Sequence, residues 1–410
     1  MKTCRLAVCL LLCAVMALTA SSCMKQQTES GSDSAAALTL WGAADDQSML
    51  GEMIEDFKAL NTDLKNEIIT KVTGEDKAKD EALKDIDAAA DVFAIGHDQL
   101  GALVDAGAVY EITGEYADTV RSGCDEASVK ASTYNGKLYG FPSTAETYFL
   151  YYDKSKLSDE DVQSLNTILS KDLGSGVYKF GMNFKEGYYG TSLFFTAGCT
   201  LFGENGDDPT KCDFNNNNGL AAANFIASLS DLGAVNCDDN EAVSQMKAGK
   251  LASFVTGPWK ADAFKELLGD NYGVAKLPTV ALSDDAAQTQ MKSFAGYKIY
   301  VVNAKTKDPA AAMKLAAHLT SEQNQLKRFR DRSLLPVNKN AASNSDVTAD
   351  KTVKATLDQL QYAVPMPAVT QISKYWTAFK AFTDDCFNGN IPATEMQAKL
   401  DNMVTQILAQ

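Results

Sequence analysis

The side chains that could do chemistry in this sequence are carboxylates and aromatic rings, and they stand outside the usual catalytic motifs. No Gly-x-Ser-x-Gly motif, no Gly-rich phosphate loop with a lysine and no His-Glu-x-x-His motif occurs. The 2 histidines are too few for a histidine-based metal centre. With 53 Asp and Glu residues, a pair of acids somewhere is unavoidable, so acid pairs alone do not indicate a glycosidase. We therefore predict no catalytic residue, no bound metal and no cofactor.

Aromatic residues stand at several predicted turns, close to polar groups. Tyr188 follows Glu186, Trp259 follows a Gly-Pro turn, and Trp376 lies beside another aromatic residue, Tyr375. Aromatic faces stack on the apolar faces of sugar rings, while nearby carboxylates accept hydrogen bonds from sugar hydroxyls. This combination indicates a cleft that binds carbohydrate.

One acid, Glu146, lies alone in an uncharged run between Lys137 and Asp153. The surrounding segment, residues 134–157, reads YNGKLYGFPSTAETYFLYYDKSKL and is rich in Tyr and Phe. These residues alone allow three interpretations of Glu146: a catalytic group, a ligand contact or a surface charge beside a buried strand.

Strands that alternate with amphipathic helices must position these groups. We predict strands at residues 37–41, 67–72 and 91–95, and a helix between the first two whose apolar positions recur at helical spacing. This order predicts an α/β fold with a largely parallel sheet, whose ligands bind outside the carboxyl ends of the strands. The loops at those ends hold Asp45, Asp46, His97 and Asp98. A structural role is expected for His97.

Later segments predict further units of the same kind. Residues 215–233 have an Asn-rich start that can cap a helix and a Gly that can end it. Residues 250–267 indicate a strand, a Gly-Pro turn and a short helix. Asp308 and Pro309 together are typical of a helix start.

The N-terminus has the pattern of a secretory signal. Lys2 and Arg5 precede an apolar run, residues 6–20, that is too short to span a bilayer. The run ends in LTASSC, which resembles the lipobox of bacterial lipoproteins and makes Cys23 the predicted lipidation site. Residues 23–36 are predicted to be a flexible tether.

Charge and cysteine content exclude other classes. The net charge of −15 argues against nucleic acid as a partner. Beyond Cys23, the cysteines number five, which is odd, and they lack the Cys-x-x-Cys spacing of zinc sites. Buried free thiols are expected, and a disulfide between Cys199 and Cys212 is the alternative.

From Leu38 almost to the C-terminus, the chain resembles the maltose- and maltodextrin-binding proteins among the extracellular solute-binding proteins of ABC importers. The segments that carry the resemblance are LTLWGAADDQ, DVFAIGHDQLGALVDAGAVYEIT, YNGKLYGFPSTAETYFLYYDKSKL, NFKEGYYGTSLFFTAGCTLF, AVSQMKAGKLASFVTGPW, YGVAKLP and MPAVTQISKYWTAF.

The resemblance implies a two-lobed periplasmic-binding-protein fold. The implied boundaries are residues 1–22 for the leader, 37–145 plus 299–345 for an N-terminal lobe, and 146–298 plus 346–410 for a C-terminal lobe. It also implies a monomer that binds maltodextrin in the cleft and delivers it to ABC permease subunits. The lipid at Cys23 would hold it on the outer face of the bacterial cytoplasmic membrane, extracellular or periplasmic.

The resemblance also implies the roles of individual residues. Sugar hydroxyls would be hydrogen-bonded by the acids Asp98, Glu146 and Glu186 and by Asp45 or Asp46, and Tyr188, Trp259 and Trp376 would stack on sugar rings. The best-known members have Trp and Arg at the positions of Ile95 and Gln99, and Arg at that of Lys380. Two other functions stay open: a receptor for a different oligosaccharide and a secreted glycosidase.

Overall fold

The computed structural model describes residues 36–409, and the predicted leader and Cys23 lie outside this part of the chain. The strands, in chain order, are β1 (Leu38–Gly42), β2 (Ile68–Val72), β3 (Val92–Gly96), β4 (Thr133–Tyr134), β5 (Lys137–Leu138), β6 (Phe141–Glu146), β7 (Phe149–Asp153), β8 (Phe180–Met182), β9 (Ala234–Asn236), β10 (Ser253–Thr256), β11 (Tyr272–Ala275), β12 (Thr279–Val280), β13 (Thr289–Gln290), β14 (Ser293–Val302), β15 (Leu335–Pro336) and β16 (Ala363–Pro365).

Helices separate most of the strands. They are α1 (Gln47–Leu60), α2 (Ala78–Lys84), α3 (Leu100–Asp105), α4 (Gly114–Gly123), α5 (Glu126–Ala131), α6 (Leu165–Ser170), α7 (Gly187–Thr196), α8 (Asn217–Ser228), α9 (Asp239–Lys247), α10 (Ala261–Leu268), α11 (Pro309–Leu319), α12 (Glu322–Arg332), α13 (Lys339–Ala342), α14 (Ser345–Ala349), α15 (Lys351–Leu360), α16 (Ile372–Phe387) and α17 (Met396–Ile407). Short 3-10 turns lie at Ala44–Asp46, His97–Gln99, Asp161–Gln163, Pro258–Lys260, Gly269–Asn271 and Ala393–Glu395.

The long strands form two sheets. The larger sheet has the order β15-β6-β14-β3-β1-β2, with β16 also paired to β14, and the smaller sheet has the order β11-β7-β10-β8-β9. We call the part built on the larger sheet the N-terminal lobe and the part built on the smaller sheet the C-terminal lobe. The residue boundaries of the lobes given above stay a prediction.

The expectation of a largely parallel sheet is wrong, because both sheets are mixed. β1 runs parallel to β2 and β3, but β14 runs antiparallel to β3 and β6. In the smaller sheet, β8 is parallel to β9 and β10, whereas β7 is antiparallel to β10 and β11. The antiparallel pairs involve β6, β7 and β14, the strands on which the chain leaves the larger sheet and returns to it.

Each lobe has its own apolar core. In β3, Val92 and Ala94 pack on one face of the sheet, while Phe93 and Ile95 pack on the other. Both faces of this strand are therefore buried, as is usual for a strand covered by helices on both sides. The C-terminal core gathers aromatic rings from α7, α8 and α16, including Phe194, which stacks on Phe214.

The predicted elements are present with small differences at their ends. On α1, Leu50, Met53, Ile54 and Phe57 are buried as expected, but Leu60 is 70% exposed because the helix ends there. Helix α8 begins at its predicted Asn cap but ends at Ser228, before the predicted glycine. Helix α11 has the predicted Asp cap and proline start.

The five cysteines of the described part are free thiols. Cys199 is buried and Cys212 is half-buried, and no bridge joins them in this structure. Among residues 36–409, no helix has both the length and the apolar character needed to cross a membrane.

Candidate ligand-binding site

The chain passes between the lobes immediately after Glu146. Glu146 is the last residue of β6 in the larger sheet, and β7 begins in the smaller sheet at Phe149. Between them, the Thr147 hydroxyl lies 2.7 Å from both the Ser293 hydroxyl and the Phe294 carbonyl oxygen, where the chain returns in β14. The two crossings are thus held together, and Glu146 lies at their junction.

Glu146 is buried and forms an ion pair. Its Oε1 atom lies 3.2 Å from Nζ of Lys298, and the side chain is 8% exposed. Burial raises the pKa of the Glu146 carboxyl above its ordinary value, while the Lys298 ammonium opposes this shift. Glu146 is therefore neither a surface charge nor an unpaired buried acid.

A cavity of about 60 Å³ lies between the lobes and brings two predicted site residues together. From the N-terminal lobe, it is lined by Lys79, Asp98, Gln99 and Ala102, and from the C-terminal lobe by Thr370, Ile372, Ser373 and Trp376. Burial raises the pKa of Asp98 to about 6, against the lowering effect of nearby lysines. A carboxylate and an indole ring therefore face the same small space.

His97, next to Asp98, joins β14 to the segment that follows β16. Its Nδ1 atom accepts a hydrogen bond from the Tyr297 N–H at 3.2 Å, so the proton must be on Nε2, which donates to the Met366 carbonyl at 3.2 Å. Burial lowers the pKa of the His97 imidazole to about 4. The ring is neutral and bonded on both sides, which fits the structural role expected for it.

Tyr188 lies in the first turn of α7 among other aromatic rings. Its ring packs edge-on against Tyr148, with centroids 5.0 Å apart, and is 6.3 Å from the ring of Trp259. The Tyr188 hydroxyl is buried and has no hydrogen-bond partner among the described residues. A buried hydroxyl without a partner is costly, so a hydrogen bond to this group would be stabilising.

Trp259 is held by its surroundings in one orientation. The indole Nε1–H donates to Oδ2 of Asp239 at 3.0 Å. The ring lies over Gly257, where an added Cβ would be only 2.1 Å from a ring carbon. A larger residue at this turn would therefore displace the Trp259 ring, which is partly exposed.

The remaining predicted acids lie elsewhere. Glu186 is half-exposed and pairs with Lys380 at 2.7 Å. Asp46 is buried in an ion pair with Arg332, and Asp45 is exposed, 3.7 Å from the same arginine. Neither Asp45 nor Asp46 lines the cavity between Asp98 and Trp376.

Two residues at the site, Lys298 and Gln99, were not among the sugar contacts predicted from the sequence. Lys298, the partner of Glu146, is the single charged residue in the apolar strand SFAGYKIYVV. Glu146 has the same pattern, a lone charge in an uncharged run. The Gln99 side chain donates to the Glu75 carbonyl at 2.7 Å and accepts from the Lys79 N–H at 3.2 Å. The Gln99 side chain thus connects the cavity wall to the turn before α2 by hydrogen bonds.

The chain is similar in sequence to known proteins over most of its length. A galactooligosaccharide-binding protein of Bacillus subtilis is 25% identical over 386 residues, which cover 90% of this chain and 89% of the relative. A maltooligosaccharide ABC transporter solute-binding lipoprotein of Streptococcus pneumoniae is 27% identical over 313 residues, 73% of this chain and 72% of the relative.

Solved structures confirm the two-lobed fold. A maltodextrin-binding protein of L. casei without ligand is 28% identical, with a TM-score of 0.78 over 92% of this chain and 100% of that one. A chain solved with acarbose is 34% identical, with a TM-score of 0.84 over 90% of this chain and 98% of that one. The sequence profile of the bacterial extracellular solute-binding proteins matches residues 52–355. The chain therefore belongs to the family of bacterial extracellular solute-binding proteins.

Proposed function

We propose that the protein is a receptor that binds maltodextrins, α-1,4-linked gluco-oligosaccharides, between its lobes and delivers them to an ABC importer. The observation that carries the proposal is the cavity between the lobes, where Asp98 and Trp376 come from opposite walls. A ligand that contacts both walls favours the closed arrangement of the lobes, which a permease can then distinguish from the open one.

The chemistry of the surrounding residues suits an oligosaccharide. Tyr188, Trp259 and Trp376 offer ring faces, and Asp98, Glu146 and Glu186 offer carboxylate oxygens. The unpartnered Tyr188 hydroxyl adds a donor and acceptor to this set. The maltooligosaccharide- and maltodextrin-binding relatives support an α-glucan as the ligand. For Asp45 and Asp46, we propose contact with the sugar only at the edge of the site, because both residues lie against Arg332.

The proposal includes binding without chemistry on the sugar. Glycosidases need two carboxyl groups that flank the bond to be cleaved. Here, the Glu146 carboxylate is paired with the Lys298 ammonium instead. The relatives described above are also binding proteins by name.

The proposed location is the outer face of the bacterial cytoplasmic membrane, with a lipid on Cys23. The signal pattern and the lipobox-like LTASSC support it, as does the lipoprotein among the relatives. A Cys23→Ala variant expressed with its leader should appear in the medium or the periplasm instead of the membrane fraction. A wild-type protein that already leaves the membrane fraction would contradict the anchor.

A second candidate ligand is a galactooligosaccharide. It is favoured by the Bacillus subtilis relative, whose match spans 90% of this chain. The position of Gln99 also fits this alternative, because its side chain is bonded within the protein and differs from the arginine of the best-known maltodextrin binders.

Calorimetric titration decides between these ligands. We expect heat of binding with maltotriose and longer α-1,4 glucans, and none with β-1,4-galactotriose or cellotriose. Heat with the galactotriose alone would establish the second candidate, and no heat with any sugar would overturn the oligosaccharide assignment. Chromatography after long incubation with maltopentaose should show unchanged sugar, since released products would reveal a glycosidase.

A further inference from the structure

We propose that Lys298 is a positioning residue of the cleft, which keeps the Glu146 carboxylate in place and in its charged form, and that Gly296 provides the space for this pair. The inference rests on the proposed function, because it assigns how a sugar-binding acid is held ready. It concerns residues of β14 that contact Glu146 rather than the sugar.

The strand register brings the two side chains together. β14 lies between β3 and β6 in the larger sheet. Lys298 is opposite Thr144 on β6, and Gly296 is opposite Glu146. Because residues two apart in a strand share a face, Lys298 and Glu146 are diagonal neighbours on one face of the sheet. Their charged atoms are 3.2 Å apart.

Gly296 leaves the room that Glu146 occupies. A Cβ atom added at Gly296 would lie 3.2 Å from Cγ of Glu146 and 3.4 Å from its Oε1. These contacts are tight, so a Cβ at this position would require the Glu146 side chain to shift by a few tenths of an ångström. The short sequence Ala-Gly-Tyr-Lys at residues 295–298 therefore supplies both the space and the charge.

Lys298 lies among several charged and titratable groups of the cleft. Three carboxylates act on it: Glu146 from β6, Glu75 from the turn before α2 and Asp98 from the turn after β3. Lys79 adds a second positive charge near Asp98, and the adjoining His97 ring is neutral, with a pKa lowered to about 4. From the C-terminal lobe, the pKa of the buried phenol Tyr188 is raised by burial and by the charge of Glu146.

Loss of the Lys298 charge would change the chemistry of the site. Burial raises the pKa of both Glu146 and Asp98, and Lys298 opposes the rise in each case. Without the lysine, the carboxylates would bind a proton at a higher pH. A protonated carboxyl has one acceptor oxygen fewer to offer to sugar hydroxyls. Sugar affinity should therefore fall and become dependent on pH.

The test compares Lys298→Met, Lys298→Arg and Gly296→Ala with the wild type by calorimetry with maltotriose over a range of pH. We expect Lys298→Met to lower affinity about tenfold near neutral pH and to move the acidic loss of binding upward by about one pH unit. Lys298→Arg should retain most of the affinity, and Gly296→Ala should lose part of it. Equal pH profiles for Lys298→Met and wild type would overturn the proposal.

The control is Lys327→Met, because Lys327 also lies between two carboxylates, 2.6 Å from Glu52 and 2.9 Å from Asp331, outside the cleft. It should leave the pH profile unchanged.

A second readout does not need sugar. Carbon NMR of the Glu146 side-chain carboxyl, assigned with a Glu146→Gln variant, should show a titration midpoint that rises in Lys298→Met and not in Lys327→Met. An unchanged midpoint would refute the role of Lys298 even if the variant bound no sugar. If the wild type binds no oligosaccharide while the midpoint still moves, the proposed function fails and the assignment of Lys298 stands.

Discussion

At the scale of the residue, Glu146 shows how one carboxylate acquires a role from its position. It is the last residue of a buried strand, and its Lys298 partner lies on the neighbouring strand. An exposed pair of this kind would contribute little, whereas a largely buried pair constrains both side chains strongly. In this pair, the Glu146 carboxylate is a charged hydrogen-bond acceptor at the junction of the lobes.

The first prediction concerns this acceptor directly. Glu146→Ala should weaken maltotriose binding by about 1.5–3 kcal/mol, the usual cost of losing a hydrogen bond to a charged group. Calorimetry measures the change, and Glu115→Ala, at an exposed position on α4, is the matched control. Unchanged affinity in Glu146→Ala would show that this acid does not contact the sugar.

The second prediction concerns the pH dependence that comes from His97. The pKa of its imidazole is lowered from 6.5 to about 4 by burial, so the unfolded chain takes up a proton in this range and the folded protein does not. The stability from the neutral ring is therefore fully present above about pH 6.5 and is lost as the pH falls towards about 4.

Urea unfolding of wild type and His97→Gln measures this effect. Between neutral pH and about pH 5, the free energy of unfolding of the wild type should fall by about 2 kcal/mol more than that of His97→Gln. The opposite contribution of Asp98, whose pKa is raised, is present in both proteins and cancels to first order. His318→Gln, at a half-buried histidine, should show a smaller change. A constant difference across this range would contradict a buried neutral His97.

At the scale of the element, helix ends are set by short-range hydrogen bonds. The Asn216 side chain caps α8 by accepting a hydrogen bond from the Gly219 N–H at 2.9 Å. An added Cβ on Gly219 would lie 1.8 Å from the Phe214 carbonyl oxygen, so the chain enters this helix along a tight path. Both features hold the helix against the aromatic core of the C-terminal lobe.

The third prediction follows from this cap. Asn216→Ala should lower the free energy of unfolding by about 1 kcal/mol, the usual cost of a lost N-cap. The neighbouring Asn217→Ala, at the first helical residue, should have a much smaller effect. Urea unfolding distinguishes the two, and equal losses would mean that the cap contributes nothing specific.

At the scale of the whole molecule, the size of the cavity determines how a sugar can enter. A site for a small-molecule ligand usually has several hundred Å³, whereas the space between Asp98 and Trp376 is about 60 Å³. The lobes must therefore move apart to admit an oligosaccharide. We expect this motion to take place at the crossings, where the Thr147 hydroxyl is hydrogen-bonded to β14.

The fourth prediction is a change in dimensions on binding. Small-angle X-ray scattering should show a smaller radius of gyration with saturating maltotriose than without sugar, because the ligand favours the closed arrangement. Sucrose at the same concentration serves as the control for solvent contrast. An unchanged radius on addition of maltotriose, with binding confirmed by calorimetry, would contradict closure by the ligand.

The elements were predictable from the sequence to different degrees. The buried face of α1, the Asn cap of α8 and the Asp-Pro start of α11 depend on residues close in sequence, and all three are present. The direction of strands was not predictable in the same way. In the two sheets, every antiparallel pair includes β6, β7 or β14, and these pairings join segments that are far apart in the sequence.

Local sequence patterns indicated which residue types could bind a sugar and where the strands and helices that carry them begin. They did so because periodicity, capping and turn chemistry act over a few residues. The folded arrangement was needed to show that Glu146 pairs with Lys298, that Asp46 lies against Arg332, and that Asp98 shares a cavity with Trp376. Those contacts join residues far apart in the chain, and strand register and lobe packing alone bring them together.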